Sequence, residues 1–114
     1  MIDDLRSRFM PRFVEASRGR LERARVLFAG GDAPMLAHEL HALAGEAMML
    51  DLHAIADNAR RGESAAIAWS KGRESGGGSS EAPRAVCADS LESVGRALAL
   101  LSNVGPTPGR AGAP

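Results

Sequence analysis

The stretch APMLAHELHALAGEAMML, residues 33–50, decides how the chain folds. Leu36, Leu40, Leu43, Ala47 and Leu50 step by four, three, four and three, the spacing that gathers side chains along one stripe of an α-helix. Asp32 offers an N-cap oxygen, and Pro34 falls in the first turn, where a missing N–H does no harm. His38 and His41 lie off the leucine stripe. Gly45 stands inside this strong helix although it costs about 1 kcal/mol relative to Ala.

Working outward, the same period recurs in both directions. Val14, Ser17, Leu21, Ala24 and Phe28 form a stripe in a preceding helix that Gly30 and Gly31 stop. Before it, residues 3–9 read as a short amphipathic helix ended or restarted by Pro11. After residue 50, Asp51 can cap a third helix that buries Leu52, Ile55, Ala59, Ala66 and Trp69. KGRESGGGSSEAPR, residues 71–84, reads as a flexible connection closing on a helix start at Ser80, Glu81 and Pro83. Cys87, Leu91, Val94, Leu98 and Leu101 repeat the four-three-four-three step in a last helix, and residues 103–114 read as a disordered tail. Four helices with one apolar stripe each predict an all-α domain over residues 1–102, with the 71–84 loop inside it. The architecture expected is an antiparallel up-down four-helix bundle with a short extra N-terminal helix.

Composition supports helix over sheet, because Ala and Leu supply most of the apolar residues, Tyr is absent and β-branched residues are few. No apolar run approaches the ~20 residues of a membrane span, and the charged N-terminus does not suit a secretory signal. The expectation is a cytoplasmic protein without membrane contact. The single cysteine, Cys87, forms no internal disulfide and reads as a small buried packer. Residues 1–30 carry seven Arg against four acids, and residues 31–59 carry five acids and no Lys or Arg. That asymmetry predicts helix faces that attract each other; nucleic acid would call for a larger basic surplus with interleaved aromatics.

His38-Glu39-Leu40-His41 is one residue short of H-E-x-x-H, and no third ligand stands near apart from the distant His53, which reads as ordinary. Neither Glu39 nor Glu46 has a histidine three residues later, as a di-iron bundle requires. No metal site is therefore expected. Serine hydrolase and Rossmann motifs are absent, and the glycines at 76–78 lack the Lys and Ser/Thr of a P-loop.

Gly45 lies four residues after His41, where a side chain would lean back over the ground beside the imidazole. Its absence either leaves that flank open or lets a neighbouring helix pack closely; the spacing is compatible with both. An accessible imidazole is largely neutral at cytoplasmic pH, so its unprotonated nitrogen can act as a nucleophile, and phosphorus is a suitable electrophile.

The run His41-Ala42-Leu43-Ala44-Gly45-Glu46-Ala47-Met48-Met49-Leu50 resembles the H-x-L-K-G-x-A-x-x-L signature of histidine-containing phosphotransfer (HPt) domains of bacterial phosphorelays. The resemblance extends over roughly residues 9–101, through the turn Gly30-Gly31-Asp32, the segment Asn58 to Glu63 and the last helix. It implies that His41, and not His38, is the phosphoacceptor, taking phosphate from a receiver-domain aspartate or a sensor kinase and passing it to another receiver. The family commonly has Lys where this chain has Ala44. Arg60 and Arg61, about as far past the expected turn as His41 is before it, could supply the charge or could be exposed, solvated residues. Phosphate-site neighbours are thus Gly45, Ala44, Arg60 and Arg61, and His38, Ala42 and Met48 would line a docking patch. The chain carries no ATP-binding kinase domain and is not expected to be an enzyme. It would act as a monomer that binds no cofactor, with Mg²⁺ held by the receiver domain. Ala44 also suggests a second reading, an HPt-like interaction module that binds receiver or kinase domains without carrying phosphate.

Overall fold

The computed structural model describes residues 2–75 and 80–104, the side chains of residues 2–6, 75, 103 and 104 excepted. It contains four helices and, among the described residues, no strand: α1 (Ile2–Gly30), α2 (Ala33–Met49), α3 (His53–Ser75) and α4 (Glu81–Val104). α1 packs against α2 and α4, and α3 packs against the same two, so the helices form a closed cycle of neighbours around one core. The stripes expected from the sequence fill it. Leu36, Leu40, Leu43 and Ala47 from α2 meet Ile55, Ala59, Ala66 and Trp69 from α3, Val14, Leu21 and Ala24 from α1, and Cys87, Leu91, Val94 and Leu98 from α4, all buried. Phe28, Leu50 and Leu101 pack against its edge.

The helix ends depart from expectation at several points. Residues 3–9 do not form a separate N-terminal helix but belong to α1, which runs through Pro11. Proline forfeits one helical hydrogen bond, and Pro11 is exposed, so water can satisfy the carbonyl it frees. α2 begins as expected, with the Asp32 side chain accepting from the Met35 N–H at 3.2 Å. Asp51, expected to cap α3, instead sits in the α2–α3 turn at φ 64°, and its carboxylate pairs with His53 Nε2 at 2.7 Å. The left-handed conformation lets the turn close in three residues, with the Leu52 N–H donating back to the Ala47 carbonyl at 2.9 Å.

Much of the expected flexible stretch 71–84 is helical: α3 continues to Ser75 and α4 starts at Glu81. Residues 76–79, and residues 105–114 of the expected tail, lie outside the described residues, and α4 itself extends to Val104. Tertiary contacts favour helix on both sides of the connection. Arg73 donates to the Gly31 carbonyl, and the Arg84 guanidinium lies 5.4 Å from the Phe28 ring centre and 5.6 Å from that of Trp69.

The uneven charge along the chain resolves into contacts between α1 and α2. Arg20 bridges Glu39 at 3.1 Å and Glu46 at 3.3 Å, and Arg23 approaches Glu39 at 3.7 Å. On the other side of the bundle, Gly62 admits α4. A Cβ there would collide with Ser90 Oγ and lie 2.9 Å from Leu40 Cδ1. Ser90 uses the close approach to donate to the Asn58 carbonyl at 2.6 Å, and the Cys87 thiol donates to the Gly62 carbonyl at 3.7 Å.

Candidate functional site

His41 is the midpoint residue of α2, and its position off the leucine stripe turns its side chain outward, 75% exposed. The ring is held on one side only. Nδ1 lies 3.0 Å from Oε2 of Glu63 on α3, a carboxylate that is itself 22% exposed. A carboxylate accepts and does not donate, so Nδ1 carries the proton of this hydrogen bond. In the neutral ring the lone pair is then left on Nε2. The hydrogen bond selects this tautomer and leaves Nε2 as the ring nitrogen with an available lone pair.

Gly45 is exposed, and a Cβ built on it would meet nothing within 4 Å, so it keeps ground beside His41 open and admits no neighbouring backbone. Ala44 lies elsewhere: it is buried, 2% exposed, on the part of α2 that faces the core. His38 is exposed one turn before His41, Ala42 is half-buried, and Met48 is exposed one turn beyond Gly45. Met49, at 85%, is the most exposed of the large apolar side chains among the described residues, and Ile67, also exposed, stands one turn after Glu63 on α3.

The two arginines singled out in the sequence part company. Arg61 donates to Asp89 on α4 at 2.7 Å and to Asn58 at 3.2 Å, which commits its guanidinium to the flank of α3 away from α2. Arg60 is exposed, three residues before Glu63 and on the same flank as that carboxylate. Glu63 was not assigned a role from sequence. Folding back at residues 50 and 51 sets His41 against Arg60 and Arg61; the observed register brings it to Glu63 instead, farther along α3.

Among the described residues no three His, Cys, Asp or Glu side chains come together as a cage for a metal ion, and no helix is long and apolar enough to cross a membrane. A cleft of about 660 Å³ lies between α1 and α4; none of its lining residues belongs to α2 or α3, so it is remote from His41. His41 therefore lies on an open helical face, accessible to a group brought by another macromolecule.

A family model described as Hpt domain matches residues 8–103. No curated protein and no solved structure matches the chain. The family match spans most of the sequence and contains all four apolar stripes and the exposed histidine: the chain belongs to the Hpt domain family, the phosphotransfer modules of two-component systems.

Proposed function

We propose that His41 is the phosphoacceptor and that the chain relays a phosphoryl group between aspartates of receiver domains, or from a sensor kinase to a receiver. The observation that carries the reading is the outward imidazole with Nδ1 held by Glu63 and Nε2 free. Nε2 attacks phosphorus in line, the new N–P bond forms as the bond from phosphorus to the donor carboxylate oxygen breaks, and the carboxylate leaves with the electron pair. The phosphorylated ring keeps its Nδ1 proton and gains a positive charge, which the Glu63 carboxylate offsets. Transfer to the next aspartate is the reverse of these steps. The receiver would bring the Mg²⁺ that neutralises phosphoryl oxygens, and the chain supplies the nucleophile and its orientation.

Docking on this reading uses the exposed strip of α2, His38, Ala42, Gly45, Met48 and Met49, extended by Ile67 of α3. A small apolar patch with a polar rim suits transient contact. We take the bundle to be up-down and antiparallel, a reading supported by the pairs His41 with Glu63, Leu40 with Gly62 and Gly31 with Arg73, which run in opposite directions along the chain. A monomeric, cytoplasmic protein accords with that role.

The test uses phosphoramidate as a chemical phosphodonor, followed by mixing with a panel of receiver domains from the same genome. The expected result is an acid-labile, base-stable label that is lost in His41→Gln, kept in His38→Gln, formed more slowly in Glu63→Ala and passed to at least one receiver. Label that persists in His41→Gln overturns the assignment. Ala44, which brings no charge to the site, favours one alternative, a module that binds receiver or kinase domains without carrying phosphate. A wild-type chain that binds a receiver and takes no label would establish that alternative.

A further inference from the structure

Given His41 as phosphoacceptor, we infer that Arg60, reaching from α3, is the cation that stabilises the phosphoryl group on it. The site needs one. A phosphoryl group on Nε2 adds two negative charges to a ring whose Nδ1 side is already occupied by the Glu63 carboxylate, so the loaded site is net negative. α2 offers nothing to offset them, since residues 33–49 include no Lys or Arg.

α3 carries four cations, and three are out of reach or engaged. Arg61 is bonded to Asp89 on the α4 flank, and Arg73 is bonded to the Gly31 carbonyl beside the start of α2. Lys71 lies eight residues beyond Glu63, about 12 Å along the helix axis. Arg20 and Arg23 of α1 are held by Glu39 and Glu46 on the opposite flank of α2.

Arg60 remains. It is exposed and makes no hydrogen bond or ion pair among the described residues. It lies one turn from Glu63 toward the Leu50–Leu52 turn, and the register that pairs His41 with Glu63 sets Arg60 level with Ala44. That position is beside Gly45, where nothing fills the space a Cβ would occupy, so a long guanidinium can extend across the groove without displacing a side chain. Arginine suits the task because its planar fork matches two phosphoryl oxygens at once.

Phosphoramidate serves as the probe on the full chain: Nε2 attacks phosphorus, the P–N bond of the reagent breaks, and ammonia leaves with a proton from solvent. Label formation at His41 and its hydrolytic loss are followed at two ionic strengths in the wild type, Arg60→Gln, Arg60→Lys, Arg61→Gln and Lys71→Gln. Arg60→Gln is expected to change the ratio of formation to loss against the phosphorylated state by about three-fold at low salt, the size of an exposed charge pair, and to flatten the salt dependence. Arg60→Lys recovers most of the loss, and Arg61→Gln and Lys71→Gln stay near wild type. A purely structural role for Arg60 would move neither the salt dependence nor the charge-keeping variant in this way. If the wild type labels at His41 and Arg60→Gln behaves like it, or Arg61→Gln falls as far, the inference about Arg60 is overturned and the phosphoacceptor assignment stands. If the wild type takes no label at His41, the assignment falls and this inference with it.

Discussion

Two glycines, one on α2 and one on α3, have opposite roles. Gly45 faces solvent, and Gly62 is wedged under Ser90 and Leu40. Gly62→Ala forces a methyl group into contact with both and should cost about 2 kcal/mol, read as a lower midpoint in chemical denaturation. Gly45→Ala should raise the same midpoint through helix propensity alone, by up to about 1 kcal/mol. Spacing could not distinguish these environments, because i, i+4 arithmetic places a residue on a face and is silent on what lies across from it. The same limit applies to Ala44, one residue from the exposed Gly45 and nevertheless buried. Glu63 was not legible from the turn, because counting from residues 50 and 51 points to Arg60 and Arg61 and only the packed register brings Glu63 to His41.

Among the elements, the middle of each helix could be read from sequence and the ends could not. Each helix carries an apolar stripe, unbroken in α2 and α4, and burial enforces that period, so the core follows from it. Helix ends are settled by contacts that join distant residues. Arg73 bonded to Gly31 and Arg84 stacked on Phe28 and Trp69 keep helix where composition suggests loop. The α2–α3 turn holds the one residue other than glycine with positive φ among those described, Asp51 at 64°. A side chain in that region carries a steric cost that glycine avoids, while the exposed Asp51–His53 pair returns little. Asp51→Gly is therefore expected to stabilise the protein by about 0.5 kcal/mol in thermal or chemical denaturation, despite the loss of that pair.

For the whole molecule, the four helices divide the work. α2 and α3 carry the His41 face, and α1 buttresses α2 from behind through Arg20 and Arg23. α4 completes the core with Cys87, whose thiol burial pushes up from 9.0 to about 11. Below pH 9.0 the thiol is protonated in both folded and unfolded chains, and its contribution to stability is complete. Between 9.0 and about 11 the unfolded chain releases the proton while the folded one retains it, so stability falls as pH rises and the contribution is gone above the folded value. Denaturation midpoints followed from about pH 8 upward should decline more steeply for the wild type than for Cys87→Ala, which has no thiol to ionise.

The clamps formed by Arg73 and Arg84 also bear on how the protein can be extended. They anchor the last turn of α3 and the first of α4 to the bundle independently of the chain that joins them. Residues inserted between Ser75 and Ser80 thus add closure entropy alone, about 0.6 kcal/mol for each doubling of the linker. A fluorophore, an affinity handle or a fused module can be grafted there, away from the groove that presents His41.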